Sequence, residues 1–488
     1  MRSLIAALGL TLLLAGCATR FENRPLSPGQ GNVERRVVDV SHPERPVILV
    51  AFSGGGSRAA ALGWVVLREL RRYGYPTAGA ERLLIDDIAV VSSVSGGSVI
   101  AAHFTLGGAP GLDRFEADFL APDNTRTLGV GALNPLLLVT GGSRSDLVEQ
   151  LFDHQLFGGK TFAELNRPNK PYLILNATDM ASGEVFAFTP QRFDDICSDL
   201  DAQPISSGVA ASAAVPVVFT PIALQNYSVG HCQGRAIPAW VTKRLDGRYA
   251  PYLNIDAYKL ARYTNDLRRG PDRFREIDYV YLLDGGLADN LAVHGLLEAV
   301  SSPYAAAIVA PPAGQGGPAG TLLRAINDGR IRKIVVIVVN ARADPPNDIY
   351  TNPDKPGIIG MIGSVTSLPI DANTSSVGAQ IDTLLSELNA GSSADAAAFS
   401  GLSVYKIVVD FDQLRVADPA QRALRDQAKQ IPTLWTITKA NLDVIDKAGT
   451  LLLRQHPCFQ RLLLDLTIAN DFVDADFARR GCRQASDP

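Results

Sequence analysis

The sequence has few of the features on which nucleic-acid or metal binding depends. Its 46 Lys and Arg are outnumbered by 50 Asp and Glu, and the formal net charge of -4 gives no general attraction to polyanions. None of its 5 cysteines stands in a CxxC pair, and its 6 histidines show no paired spacing of the kind that zinc sites use. We therefore expect no nucleic-acid partner, no metal and no cofactor.

Long apolar segments and dense charge are also missing. Only 20% of the 488 residues are charged and 46% are hydrophobic, which excludes an intrinsically disordered chain. After residue 16, no stretch approaches the roughly 20 apolar residues that a transmembrane helix needs. No break in composition marks a second domain, so we expect residues 46–488 to form one domain.

The N-terminus has the pattern of a secretory signal. Arg2 precedes an apolar run over residues 4–14, and small residues follow, so residues 1–16 are predicted to be a signal peptide. The sequence Leu14-Ala15-Gly16-Cys17 resembles the bacterial lipobox, in which cleavage leaves the cysteine as a lipidated N-terminus. The alternative is an ordinary signal peptide with a chance cysteine. We expect Cys17 to anchor the protein to a membrane of the bacterial cell envelope. The outer membrane is favoured because Ala18, not Asp, follows it.

Residues 17–45 are predicted to be the lipidated cysteine and a flexible tether. This segment contains Pro25, Pro28 and Pro43 and has no sustained hydrophobic period.

The four other cysteines permit two disulfides. An even number in an oxidising compartment allows three connectivities, and four buried free thiols are the alternative. Proximity in sequence favours Cys197–Cys232 and Cys458–Cys482.

Hydrophobic patterning indicates an α/β fold. Continuous apolar runs at residues 47–52 and 88–91 are typical of buried strands, and residues 57–73 between them have helical spacing. Further strands are predicted at residues 172–175, 279–283, 333–339 and 404–411. We expect a doubly wound, mainly parallel sheet with helices on both faces. The C-terminal part is predicted to be helical, with Leu434, Ile437, Val444 and Ile445 on a packed face.

Ser95 lies in Ser93-Val94-Ser95-Gly96-Gly97, between a predicted strand and a predicted helix. A nucleophile elbow needs this context, because a sharp turn exposes the serine and small neighbours let the backbones pass. The usual pattern is G-x-S-x-G, and Ser93 stands at its first glycine. A structural Ser-Gly-Gly turn is the alternative.

A second glycine-rich turn, Gly54-Gly55-Gly56-Ser57-Arg58, follows the first strand. Its backbone N–H groups could bind a phosphate or the oxyanion of a tetrahedral intermediate. A close helix–strand crossing explains the glycines equally well.

Asp284-Gly285-Gly286 follows the predicted strand at residues 279–283, and Asp289-Asn290 could cap the next helix. Ligand sites collect at the carboxyl ends of parallel strands, so we expect the glycine turn, Ser95 and Asp284 at one edge of the sheet. This set of residues suggests acyl transfer. His103 lies on the helix of Ser95 but too far along it to be the base, whereas His294 stays a candidate.

Four blocks together resemble the patatin-like phospholipase family. They occur in the family's order and are Gly54-Gly55-Gly56-Ser57-Arg58, Ser93-Val94-Ser95-Gly96-Gly97, Ala211-Ser212-Ala213-Ala214-Val215-Pro216-Val217-Val218-Phe219-Thr220-Pro221 and Asp284-Gly285-Gly286-Leu287-Ala288-Asp289-Asn290. The third block matches the family's Ser-Ala-x-x-Pro-x-x-Phe-x-Pro segment. Ala59 departs from the family, which usually has a glycine there.

The resemblance implies a Ser–Asp dyad that hydrolyses acyl esters of lipids or phospholipids. Ser95 would be the nucleophile and Asp284 its base. Backbone N–H groups of the glycine turn (Gly54, Gly55, Gly56) and of Gly96 would form the oxyanion hole. Arg58 would brace the glycine turn or meet a lipid phosphate.

Two other hypotheses remain beside a membrane-tethered lipid acyl hydrolase. One is a histidine-dependent esterase that acts on small soluble esters with His294 as base. The other is a catalytically silent lipid-binding lipoprotein that keeps the fold.

Overall fold

The architecture is that of a mixed sheet covered by helices on both faces. The computed structural model describes residues 23–77, 80–132, 143–228, 232, 236–246, 255–269, 277–301, 307–311, 319–344 and 401–484. The strands are β1 Val47–Phe52, β2 Gly74–Thr77, β3 Ala80–Leu83, β4 Ile88–Val94, β5 Tyr172–Asp179, β6 Val185–Ala187, β7 Ile222–Gln225, β8 Tyr279–Asp284, β9 Lys333–Asn340 and β10 Ser403–Asp410. Every strand predicted from the sequence is present.

The helices alternate with the strands and then dominate the C-terminal part. They are α1 Gly56–Leu70, α2 Gly96–Phe115, α3 Asn124–Ala132, α4 Arg144–Phe152, α5 Phe162–Leu165, α6 Pro190–Asp195, α7 Ile205–Ser212, α8 Ala239–Leu245, α9 Ile255–Arg269, α10 Gly286–Asp289, α11 Val293–Ser301, α12 Leu322–Asn327, α13 Pro419–Lys429, α14 Lys439–Gln455, α15 Pro457–Asp465 and α16 Ala475–Gly481. Among the described residues, no helix has the length and apolarity to span a membrane.

The central strands of the main sheet are buried on both faces. Its order is β10-β9-β1-β4-β5-β8-β7, with β6 paired to β5. Alternate residues of β1 enter two separate cores: Ile48 and Phe52 pack on one side, and Leu49 and Ala51 on the other. Burial on both faces explains why β1 is apolar at every position. The predicted α/β class with a mainly parallel sheet is confirmed.

Strand β8 differs from the expected arrangement, because it runs antiparallel to both β5 and β7. Only its last three residues pair with β5, and Asp284 lies opposite Ala177. The neighbouring residue Asn176 pairs with Val94 at the end of β4. The end of β8 therefore still lies near the carboxyl end of β4, although the expectation that all three site strands are parallel is wrong.

The predicted flexible tether packs against the domain over residues 23–45. Leu26 and Val40 are buried, and the backbone N–H of Leu26 donates to the Cys197 carbonyl at 3.0 Å. The side chain of Asn32 donates to Asp194 at 2.9 Å. These contacts hold the segment in place, so the prediction of a flexible tether is wrong for residues 23–45. Cys17 and the predicted signal peptide lie outside the described residues.

Both favoured disulfides form. The Cα atoms of Cys197 and Cys232 are 6.0 Å apart, and those of Cys458 and Cys482 are 4.8 Å apart.

The C-terminal helices pack as predicted with one exception. Ile445 is buried on α14, but Leu434 and Ile437 lie in the loop before that helix, where Ile437 is buried and Leu434 is 45% exposed.

Candidate active site

Ser95 occupies a strained turn between β4 and α2. Its backbone has φ 53° and ψ -124°, outside the regions that residues with a side chain usually adopt. A Cβ atom at Gly96 would lie 2.0 Å from the Gly56 carbonyl oxygen, and one at Gly97 would lie 2.6 Å from the Ser53 carbonyl oxygen. The turn therefore requires both glycines, and it brings Ser95 against the glycine-rich turn after β1.

Ser212, at the end of α7, holds the backbone of Ser95 through hydrogen bonds. The Ser95 N–H donates to the Ser212 hydroxyl at 3.0 Å, and that hydroxyl donates to the Asn176 carbonyl at 2.6 Å. The Ser212 carbonyl also accepts from the N–H of Gly285 at 3.1 Å. One residue of the third sequence block thus joins the serine turn to the aspartate turn. In the sequence, Ser212 stands out only as one residue of the third block, and no local pattern predicts this role.

Asp284 is buried beside Ser95, and its carboxyl group interacts with the Ser95 side chain. The N–H of Gly286 donates to Asp284 Oδ1 at 2.8 Å. Burial raises the pKa of Asp284 from its ordinary value to about 6, against the opposing effect of the hydrogen bonds from Gly286 and Ser95. A carboxylate with this pKa is a stronger base than an exposed aspartate, and at neutral pH it is still ionised.

The glycine-rich turn places bare backbone beside the serine. Gly55 has φ 137° and Gly56 has φ 58°, both in the region that favours glycine. Within the described part of the chain, no backbone carbonyl accepts from the N–H of Gly55, Gly56 or Gly96. The N–H of Gly54, in contrast, donates to the Asn290 carbonyl at 3.2 Å. Gly55, Gly56 and Gly96 therefore have N–H groups available for an oxyanion, and the assignment of Gly54 as a donor is corrected.

Arg58 is buried beneath this turn. Its Nε donates to the Ala341 carbonyl at 2.7 Å, Nη1 donates to the Ile431 carbonyl, and Nη2 donates to the Thr433 hydroxyl at 3.1 Å. Burial lowers the pKa of Arg58 to about 10, which leaves the guanidinium charged at neutral pH. Of the two roles considered for Arg58, these contacts favour bracing the turn over meeting a lipid phosphate.

The histidines have other partners. The backbone N–H of His294 donates to Asp289 Oδ2 at 2.8 Å, so Asp289 holds the start of α11 as expected. The ring of His103 contacts the Gly111 carbonyl at 2.9 Å, and the His456 ring caps α15. Across the described residues, no histidine ring hydrogen-bonds to Ser95 or Asp284. The same residues contain no cluster of side chains that could hold a metal ion.

A family model of patatin-like phospholipases matches residues 50–297, just over half of the chain. The chain belongs to the patatin-like phospholipase family. All four sequence blocks fall inside this range, and so do Ser95 and Asp284. The resemblance inferred from those blocks is confirmed.

Solved structures and curated proteins were also compared with this patatin-like chain. Human GIVD cytosolic phospholipase A2 is 11% identical with a TM-score of 0.42, over 87% of this chain and 63% of that one. VipD from Legionella pneumophila is 12% identical with a TM-score of 0.25, over 93% of this chain and 76% of that one. The chain thus spans less than two thirds of the human structure, and neither similarity is strong enough to support an inference. A search among curated proteins finds no match.

Proposed function

We propose that this patatin-like chain is a lipid acyl hydrolase of the phospholipase A or lysophospholipase type, with Ser95 and Asp284 as a catalytic dyad. The placement of the Ser95 side chain beside the buried Asp284 carboxyl carries the proposal, because it brings nucleophile and base together, and the Ser212 carbonyl accepts from the N–H groups of both Ser95 and Gly285. The phospholipase family of the chain supports acyl lipids as the substrate class. The reaction uses only side-chain and backbone groups of the chain.

In the first half of the reaction, the Asp284 carboxylate accepts the hydroxyl proton while Ser95 Oγ attacks the acyl carbonyl carbon. The carbonyl oxygen becomes an oxyanion, which the N–H groups of Gly55, Gly56 and Gly96 would bind. Collapse of the tetrahedral intermediate breaks the ester C–O bond. The departing oxygen takes the proton from Asp284 and leaves as the alcohol, which is the lysolipid when the substrate is a phospholipid.

In the second half, Asp284 removes a proton from a water molecule, whose oxygen attacks the acyl group on Ser95. The second tetrahedral intermediate expels the serine oxygen, which recovers the proton from Asp284. The products are a free fatty acid and the original enzyme. The raised pKa of Asp284 suits both directions of proton transfer, since the group must accept and then return a proton near neutral pH.

The placement of Asp284 beside Ser95, where no histidine ring among the described residues hydrogen-bonds to either, supports the dyad over a histidine-dependent esterase with His294 as base. The available N–H groups beside Ser95 support an enzyme over a silent lipid-binding lipoprotein, since a binding protein has no need of an oxyanion site.

Labelling with a fluorophosphonate and hydrolysis of micellar phospholipid test this assignment together. Wild type and His294→Ala should be labelled and should release fatty acid, and Ser95→Ala should do neither. A folded His294→Ala protein as inactive as Ser95→Ala would replace the dyad with a histidine triad. Failure to label wild type would favour the silent lipoprotein. Faster hydrolysis of a short-chain soluble ester than of micellar phospholipid would favour the esterase.

The membrane anchor is part of the same proposal. Cys17 follows the lipobox-like segment, and a multiply acylated cysteine binds a membrane stably, whereas a single acyl chain binds only marginally. The two disulfides are consistent with export to an oxidising compartment of the cell envelope. We take the outer membrane to be the membrane that carries the anchor. Cys17→Ser should release the protein from the membrane fraction or stall its processing. Unchanged fractionation of that variant would contradict the anchor.

A further inference from the structure

Three exposed aliphatic side chains belong to segments whose backbones contact the candidate site. Val217 is 56% exposed, Val218 is 52% exposed and Leu434 is 45% exposed. We refer to these three residues as the apolar rim. Single exposed aliphatic residues are common on protein surfaces. The position of the rim, and not its exposed area, therefore indicates a role.

Both parts of the rim are attached to groups of the site. On one side, the Leu434 carbonyl lies 2.4 Å from where a Cβ atom on Gly56 would stand. On the other side, the N–H of Asp284 donates to the Ala214 carbonyl at 2.9 Å, and Val217 follows three residues later. The segment of Leu434 therefore contacts the glycine-rich turn, and the segment of Val217 and Val218 contacts the backbone of Asp284.

Val217 is held in an unfavourable backbone conformation. Its φ of 71° lies in the left-handed region, where a β-branched residue is a genuine outlier. The N–H of Phe219 donates to the Val215 carbonyl at 2.9 Å and closes the turn that contains it. In water an exposed valine gains nothing that would offset the strain. Strain of this kind tends to persist where it serves function.

The two segments that carry the rim have no charge. Residues 202–234 contain no Asp, Glu, Lys or Arg, and neither do residues 430–438. Attraction to anionic lipid surfaces comes from Lys and Arg, so these segments offer none. An uncharged, aliphatic edge is suited to a surface without net charge.

We propose that the apolar rim docks on the surface of a zwitterionic lipid membrane or micelle, with Val217 and Val218 inserted among the acyl chains. This inference rests on the proposed function, because the lipid surface is also the source of the substrate. Insertion removes the valines from water, and the docked surface lies next to the serine that attacks the ester.

Flotation with phosphatidylcholine vesicles tests the docking without turnover. All proteins are the full chain in a Cys17→Ser, Ser95→Ala background, which removes the proposed anchor and the nucleophile. The rim variant carries Val217→Asn, Val218→Ser and Leu434→Ser. The matched control is Val416→Ser, because Val416 is 46% exposed and belongs to neither rim segment, since it follows β10, the strand at the other end of the sheet order from β7.

The partition coefficient of the rim variant onto vesicles should be lower than that of its parent by about tenfold or more. Each half-exposed valine contributes part of the burial free energy of a full side chain. The control should partition like its parent. Asparagine accepts the left-handed conformation more readily than valine, so Val217→Asn alone should keep or raise the melting temperature while it weakens binding. Equal partitioning of all variants would overturn the proposal. Binding that requires anionic lipid and weakens with added salt would also overturn the proposal. The same holds if the rim variant changes its oligomeric mass but binds vesicles like its parent.

Kinetic measurements on proteins that retain Ser95 separate this inference from the proposed function. The rim variant should hydrolyse a soluble short-chain ester at the wild-type rate, and its loss should appear only on micellar phospholipid. An equal loss on both substrates would overturn the docking role. Ester hydrolysis that survives Ser95→Ala would overturn the dyad and leave the flotation result standing.

Discussion

The side chain of Ser95 interacts with the buried carboxyl group of Asp284, and in the described part of the chain no histidine ring hydrogen-bonds to either residue. They come from strands that are not neighbours in the sheet, since β5 lies between β4 and β8. The contact exists because β8 overlaps only the last residues of β5 and ends beside the serine turn.

Removing either member of this pair should abolish hydrolysis, and removing both should cost no more than removing one. Groups that act as a unit are strongly non-additive, because the remaining partner has nothing left to activate. Rates of fatty-acid release from Ser95→Ala, Asp284→Ala and the double variant measure this directly. Multiplicative losses would show that the two residues act independently.

The pH dependence of turnover should report the ionisation of Asp284. Only the ionised carboxylate can accept the serine proton, so kcat/KM should fall about tenfold per pH unit below about 6 and level off above it. The profile should be the same in His294→Ala. A midpoint that disappears in His294→Ala would assign the base to the histidine.

Asp284→Asn should stabilise the fold at pH 8 and leave its stability almost unchanged at pH 4. The folded pKa of about 6 lies above the unfolded value of about 3.9, so ionisation of Asp284 opposes folding. That cost is absent below the unfolded pKa and complete above the folded pKa. It amounts to roughly 3 kcal/mol in the free energy of unfolding. Urea unfolding at the two pH values measures it, and an equal effect at both would contradict burial as the cause.

A pair of glycines with the same φ separates the oxyanion role from backbone strain. Gly56 and Gly158 both have φ 58°, but an added Cβ meets the Leu434 carbonyl at 2.4 Å in Gly56 and no atom within 4 Å in Gly158. Gly56→Ala should lower turnover by about 10²–10³ through displacement of a donor, and Gly158→Ala should keep it. Equal turnover in the two variants, with folding checked by circular dichroism, would mean that the turn only packs.

The strands, the first helix and the turns that carry Ser95 and Asp284 could be predicted from the sequence because their signals are local. Apolar runs identified β1 and β4, and a small-residue turn identified Ser95. The direction of β8 could not be predicted, because a strand has the same hydrophobic pattern whichever way it runs. The exposed alternate positions of Tyr279 and Tyr281 fit a strand with one face in water, as antiparallel strands often have. Contacts between distant polar groups were also invisible. Asn32 holds the supposed tether to Asp194, and the Gly54 N–H is used by Asn290.

The contacts of Arg58 tie the glycine-rich turn to residues beyond the stretch that matches the family. Its three acceptors belong to Ala341, Ile431 and Thr433, all of which follow residue 297. Strand β9 pairs with every residue of β1, and it also comes later in the chain. A protein shortened to the matching stretch would keep both reacting residues. It would lose the acceptors that hold the glycine turn and would expose an edge of the central sheet. Expression of an active fragment should therefore require the chain through the loop before α14 as well.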